Sequence, residues 1–215
     1  MSGTPSQKAS RPEIFESSHH VAVDKFKRGT INAPPFYNNM IYIIPGFGED
    51  CRLLRYRKLT ATLRSKGYKV KCYNPNWYKP LSDQVFCVGK NSIVIGFSFG
   101  AVLAYLIVKK YPCKGVILAS ISPIHTFSFD DLVEDYNKHM PRALSVLISR
   151  DMQNIKVSLI SLDVPYITMA GEYEKSPADI IVPETNHRIT NRYIERIVLV
   201  INDHELKRRE LRSCH

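Results

Sequence analysis

The stretch Ser92-Ile-Val-Ile-Gly-Phe-Ser-Phe-Gly-Ala101 decides how the chain reads. Ser92 to Ile95 is a short apolar run, which suits a strand buried inside a parallel sheet. From Ala101 the pattern turns helical and runs to Lys110, ending before Pro112. Between them lies Gly96-Phe-Ser-Phe-Gly100, a GxSxG pentapeptide. Alone it says little; set between a buried strand and a helix it is a strong signal. A serine on so tight a turn has a strained backbone, and bulky side chains at the flanking positions would collide across it. The turn lifts the Ser98 hydroxyl clear of the sheet's carboxyl edge. The helix that starts at once aims its N-terminal amides at whatever oxygen reacts there. The plain structural alternative is a glycine-rich connection with an incidental serine.

Outward from this stretch the same alternation repeats. Upstream, Met40-Ile-Tyr-Ile-Ile44 is a continuous apolar run followed by Pro45-Gly-Phe-Gly48. Leu53, Tyr56, Leu59, Thr60 and Leu63 then fall at helical spacing, with Gly67 where a helix stop belongs. Tyr68 to Tyr73 reads as a strand, and Asn74-Pro-Asn76 and Lys79-Pro80 as loop. Downstream, Gly115–Ala119, Val164–Ala170 and Ile180–Val182 read as strands, Phe129 to about Met152 as helical, and Thr190 to about Leu206 as a final helix. Strands alternating with helices predict an α/β fold: a predominantly parallel sheet covered by helices on both faces. Residues 36–206 form this domain. Residues 1–35 are a lead-in, disordered over about the first twelve, with a candidate edge strand or hairpin at His19–Phe26; residues 207–215 are a basic tail.

Composition excludes several classes. The chain has 215 residues, 44% hydrophobic and 23% charged, which is ordinary for a globular domain and excludes a mostly disordered or collagen-like chain. Its longest uninterrupted apolar run, Ala101 to Val108, falls far short of the roughly 20 residues a membrane span needs. No apolar segment follows the start, so no secretory signal is expected. Cys51, Cys72, Cys87, Cys113 and Cys214 are scattered, odd in number and free of CxxC spacing. They read as reduced thiols of a cytoplasmic protein and not as a disulfide frame or zinc site. His19-His20 has no nearby carboxylate or thiol partner, and neighbours on a strand point to opposite faces, so no metal is expected.

The net charge of +10 is concentrated. Between Asp50 and Lys71 eight basic residues face one acid, which accounts for +7 within 22 residues. Such a stretch is usually a solvated helix face. It also suits an anionic partner, and Arg52 and Arg55, directly after Pro45–Gly48, are candidates to hold a carboxylate- or phosphate-bearing substrate. Tyr68–Tyr73 and Asn76–Lys79 mix basic and aromatic residues, as single-strand binders do. Alternation on a buried strand explains the first half better, and a nucleic-acid partner is disfavoured.

From about Tyr37 to the last helix the chain resembles the α/β-hydrolase fold superfamily. The resemblance rests on Ser92–Ala101, on Ile41-Tyr-Ile-Ile-Pro-Gly-Phe-Gly48 and on Val164-Pro-Tyr-Ile-Thr-Met-Ala-Gly171. It implies a serine hydrolase acting on a small-molecule ester, thioester or amide through an acyl-enzyme, with no cofactor. Ser98 would be the nucleophile. The loop Pro45–Gly48, with proline where the family often has histidine, would supply the Phe47 amide to an oxyanion hole. Phe99, the residue after the nucleophile, would supply the second amide.

The family order of serine, acid, histidine points to His187, in a short loop between the last strand and the last helix. His125, after the strand Gly115–Ala119, is its competitor; His204 is a poor one. The acid commonly follows a glycine that ends a strand by three residues, which selects Glu174, with Glu172 the alternative. Two segments are shorter than the family's usual form: only 13 positions separate Glu174 from His187, and Asn74–Asn91 cannot hold a full helix with its loops. If the trimming displaced His187, the chain would be an inactive relative that binds a partner through its basic face. Residues 127–162 occupy the place of a lid or cap. Phe127, Phe129, Leu132, Met140, Leu144, Leu147 and Ile148 there would either line an acyl pocket or form the inner face of a covering helix.

Overall fold

Alternation along one strand shows how the core is divided. In β1 (Met40–Ile44) the side chains of Ile41 and Ile43 enter one buried cluster and those of Tyr42 and Ile44 another. A strand apolar on both faces must lie inside a sheet covered on both sides. The computed structural model describes residues 40–121, 128–155, 157–158, 162–174 and 176–213, without the side chains of 203–213. The expectations for residues 1–35, His125, Phe127 and Cys214 lie outside these residues, as does the side chain of His204.

The remaining elements are α1 (Leu54–Ser65), β2 (Lys69–Cys72), β3 (Ile93–Phe97), α2 (Phe99–Lys110), β4 (Gly115–Ala119), α3 (Phe129–Asn137), α4 (Arg142–Asn154), β5 (Tyr166–Gly171), β6 (Ile180–Val182) and α5 (Asn191–Ser213). The six strands form one sheet, all parallel, in the order β2-β1-β3-β4-β5-β6. The fold is therefore α/β, as the alternation predicted. Helices α2, α3 and α4 pack on the face of Tyr42 and Ile44. Helices α1 and α5 cover the face of Ile41 and Ile43.

From β1 the chain passes through α1 to β2 on one flank, then returns to β3 on the other. That reversal is a topological switch point, where the strands' carboxyl ends open a crevice. The carboxyl end of β1 leads into Pro45–Gly48 there, and that of β3 into Ser98.

Several boundaries differ from the sequence reading for local reasons. Helix α2 starts at Phe99 because the elbow feeds straight into it, with Ser98 as N-cap. The helical stretch after Phe129 is two helices: Pro141 cannot continue a helix and becomes the N-cap of α4. Strand β5 starts at Tyr166 because Pro165 has no N–H; its carbonyl still accepts the Val116 N–H at 2.9 Å. Helix α5 continues to Ser213 through residues read as a tail, since no glycine or proline interrupts them. Residues Asn74–Asn91 hold a single 3-10 turn, Ser82–Gln84.

Candidate active site

Ser98 joins β3 to α2 with φ 55° and ψ −123°, a conformation that L-residues rarely adopt. Close packing enforces it. A Cβ on Gly96 would run into the backbone of Gly100 and Ala101, and one on Gly100 into the carbonyls of Ile44 and Pro45. Both glycines are thus demanded by backbone passing close to backbone. The Ser98 N–H donates to the Ala119 carbonyl at 2.9 Å, and the Ser120 N–H to the Met169 carbonyl at 2.6 Å. These bonds tie the carboxyl ends of β3, β4 and β5 together.

His187 reaches this edge from the loop between β6 and α5. Its Nε2 lies 2.8 Å from Ser98 Oγ and its Nδ1 2.9 Å from Glu174 Oε2. With a proton on Nδ1 donated to the carboxylate, Nε2 is left to accept from the serine hydroxyl. The imidazole side chain is 51% exposed, whereas that of Glu174 is only 8% exposed. One face of the ring rests against Phe97, with centroids 5.2 Å apart. Between Glu174 and the loop of His187 the chain makes only the short strand β6. The trimming noted in the sequence therefore leaves the two side chains within hydrogen-bond reach.

Two residues without a motif complete the carboxylate's surroundings. Ser120 Oγ donates to Glu174 Oε1 at 2.6 Å and lies 2.8 Å from the Tyr193 hydroxyl. The Gly171 N–H also donates to Oε1, at 2.7 Å. Burial pushes the Glu174 carboxyl up, but the bonds from His187, Ser120 and Gly171 outweigh it and hold it below the usual carboxylate range. Burial likewise raises Tyr193, which stays a neutral phenol. Ser120 has φ 46°, a second strained non-glycine residue at this sheet edge. Its only sequence signal was its place, directly after the strand Gly115–Ala119. Glu172 does not join this group: its Oε2 accepts the Glu184 N–H at 2.8 Å.

On the other side of Ser98 the loop after β1 is braced from below. The Gly46 N–H donates to the Tyr56 hydroxyl at 3.0 Å, and that hydroxyl donates to the Glu49 carboxylate. Arg55 also bonds to Glu49, and Trp77 Nε1–H donates to the Glu49 carbonyl at 3.3 Å. The Phe47 ring meets those of Phe99, Tyr136 and Trp77 edge to face, at 5.7, 5.1 and 5.5 Å. Neither the Phe47 nor the Phe99 N–H bonds to another backbone group among the described residues. Phe99 is the first residue of a helix, where the amide has no partner within the helix.

The arginines read as substrate contacts are engaged by carboxylates. Arg55 is held by Glu49, and Arg52, 90% exposed, pairs with Asp50 at 2.6 Å. Tyr56, Leu59 and Leu63 are the buried residues of α1, and Arg57, Lys58, Arg64 and Lys66 are exposed, so the basic stretch is mainly a solvated helix face. Val70 is buried, and Trp77 packs on Phe47. Leu132, Met140 and Ile148 are core residues beneath α3 and α4, while Leu147 is exposed. Beside Phe99 and Leu132 a depression of about 460 Å³ opens, bordered by Asp131, Glu134, Asp135 and Lys138. No group of three or more potential metal ligands occurs among the described residues.

Neither a protein-family model nor a curated protein matches the sequence. Solved structures do match. Alpha/beta hydrolase domain-containing protein 10 from mouse is similar with a TM-score of 0.58 at 14% identity, over 78% of this chain and 90% of that one. Est1E from Butyrivibrio proteoclasticus is similar with a TM-score of 0.54 at 12% identity, over 81% and 89%. Est1E has also been solved with ferulic acid bound. The strand order, the serine elbow between β3 and α2, and these likenesses agree: the chain has the α/β-hydrolase fold.

Proposed function

We propose that the protein is a serine hydrolase that cleaves a small ester, thioester or amide through an acyl-enzyme. The observation that carries this reading is the line of contacts Ser98 Oγ–His187 Nε2 at 2.8 Å and His187 Nδ1–Glu174 Oε2 at 2.9 Å. A serine hydroxyl is a weak nucleophile unless a base takes its proton as it attacks. His187 is within reach to do so. Glu174, kept ionised by its hydrogen bonds, fixes the tautomer and stabilises the imidazolium that forms.

Attack of Ser98 Oγ on the carbonyl carbon places negative charge on the carbonyl oxygen. The Phe47 and Phe99 amides would receive it, and a donor of this kind contributes about 3–4 kcal/mol to such a transition state. His187 then gives its proton to the leaving group, and the acyl-serine forms. A water molecule, deprotonated by the same imidazole, attacks the acyl carbon and frees Ser98. The fold-level likeness to Est1E, solved with an aromatic acid, supports a small organic substrate. The four described cysteines are free thiols, which supports a cytoplasmic setting. No helix among the described residues is long and apolar enough to cross a membrane.

A fluorophosphonate probe tests the reading. The full-length chain should be labelled on Ser98, and Ser98→Ala should abolish labelling while keeping its circular dichroism. Folded wild-type protein that takes up no probe would favour the inactive binding protein instead.

A further inference from the structure

We propose that Cys51 and Cys72 form a dithiol site that a hydroperoxide oxidises reversibly to a disulfide. The site is separate from Ser98 and does not depend on the reaction assigned there. Cys51 lies in the loop from β1 to α1, and Cys72 is the last residue of β2. Cys72 is the register partner of Ile43 in the parallel pair β1–β2, and Cys51 Sγ lies 3.9 Å from the Ile43 carbonyl oxygen. Both cysteines therefore converge on one residue of β1. The Cys51 N–H donates to Asn74 Oδ1 at 2.8 Å, which pins its backbone to the segment continuing from Cys72. Both side chains pack against the buried cluster that contains Ile41 and Ile43.

Their surroundings divide the labour. The neighbouring Cys51 thiol, the Thr60 hydroxyl 3.4 Å from Cys72 Sγ and the positive charge of Arg64 favour a thiolate at Cys72 against the effect of burial. Cys51 is held protonated by the neighbouring Cys72 and by burial. Both thiols are half-buried, open enough for a small oxidant. Cys113, by contrast, is buried and pushed up to about 11.

The chemistry follows from that asymmetry. The Cys72 thiolate attacks one oxygen of hydrogen peroxide, the O–O bond breaks, and hydroxide leaves and is protonated to water. Cys72 becomes a sulfenic acid. The Cys51 sulfur then attacks the Cys72 sulfur: the S–S bond forms, the S–O bond breaks, and the hydroxyl departs as water with the proton from Cys51. In all, two thiols lose two electrons and two protons, and one peroxide becomes two waters. An added dithiol returns the pair to its starting state.

The test is peroxide treatment of the full-length chain, followed by digestion without reductant and peptide mass spectrometry. A cross-linked pair of peptides containing Cys51 and Cys72 is expected. Dithiothreitol should separate it, Cys87→Ser should leave it unchanged, and Cys72→Ser should remove it. In Cys51→Ser a hydroxyl donor remains beside Cys72 but the resolving thiol is gone, so dimedone should label Cys72. Oxidation confined to Cys87, sulfinic acid at Cys72 without any cross-link in wild type, or no dimedone adduct on Cys72 in Cys51→Ser would each overturn the site.

Discussion

Ser98 stands between two regions built on different principles. Toward β1, position is enforced by main chain against main chain: Gly96, Gly100 and the Pro45–Gly48 loop sit where no side chain fits or where a backbone amide must be held. Toward β5 and β6, position is enforced by side chains from distant parts of the chain. Ser120, Glu174, His187 and Tyr193 come from four separate segments and meet through hydrogen bonds. A backbone-built region fails by distortion when it is altered. A region built from side chains fails by graded loss of proton transfer, so the two sides of one serine should answer mutation differently.

The largest effect is expected on the side-chain half. His187→Ala removes the group proposed to accept the Ser98 proton, and hydrolysis of an activated ester should fall about 10³- to 10⁴-fold. Glu174→Gln should approach the same loss, because a neutral amide no longer favours the reactive tautomer. His187→Ala should unfold in urea close to wild type, because its side chain is half exposed. A variant that lost stability in step with activity would erase the distinction between the halves.

On the backbone half, Gly100→Ala should destabilise the protein by about 3 kcal/mol in urea titrations, since its Cβ has only carbonyls to displace. Fluorophosphonate labelling should fall with the folded fraction. A Gly100→Ala protein as stable as wild type would show that the elbow is less confined than its contacts say.

Ser120→Ala sharpens the comparison with a smaller effect, about tenfold in rate and about 2 kcal/mol in stability, because Glu174 and Tyr193 both lose a partner. The pH dependence has a definite sign. A carboxyl held below its unfolded value contributes stability that is present above the unfolded pKa and lost as pH falls through the folded one. Removing the Ser120 hydrogen bond raises the folded value, so the acid-side loss of stability should begin at higher pH in Ser120→Ala than in wild type. Urea titrations over an acid pH series measure this. The smallest effect belongs to the exposed basic face: Arg57→Glu with Lys58→Glu should change ester hydrolysis by no more than about twofold, because these side chains lie in water.

The contrast also explains what the sequence disclosed. The elbow was legible because its constraint is local: two glycines four positions apart, a strand before and a helix after. The parallel sheet covered on both faces followed from short apolar runs alternating with helical patterns, whereas the order of its strands came only with the structure. Glu174 and His187 were legible only through spacing set by a resembled family, and the residues alone left Glu172 and His125 open. Ser120 and Tyr193 were invisible. Their partners lie 54 and 73 residues away, and no periodicity records a contact made by tertiary folding. The partners of the arginines were hidden for the same reason: a count of charges along the chain does not show that Asp50 pairs with Arg52 and Glu49 with Arg55.

The central claim is that Ser98 attacks and holds the acyl group. The most direct measurement is acid quenching of the protein during turnover of a p-nitrophenyl ester, followed by weighing of the peptide that carries Ser98. The account predicts that peptide heavier by one acyl group in wild type and no turnover in Ser98→Ala. Turnover that persists in Ser98→Ala, or that proceeds in wild type with the acyl group on another residue, would contradict it.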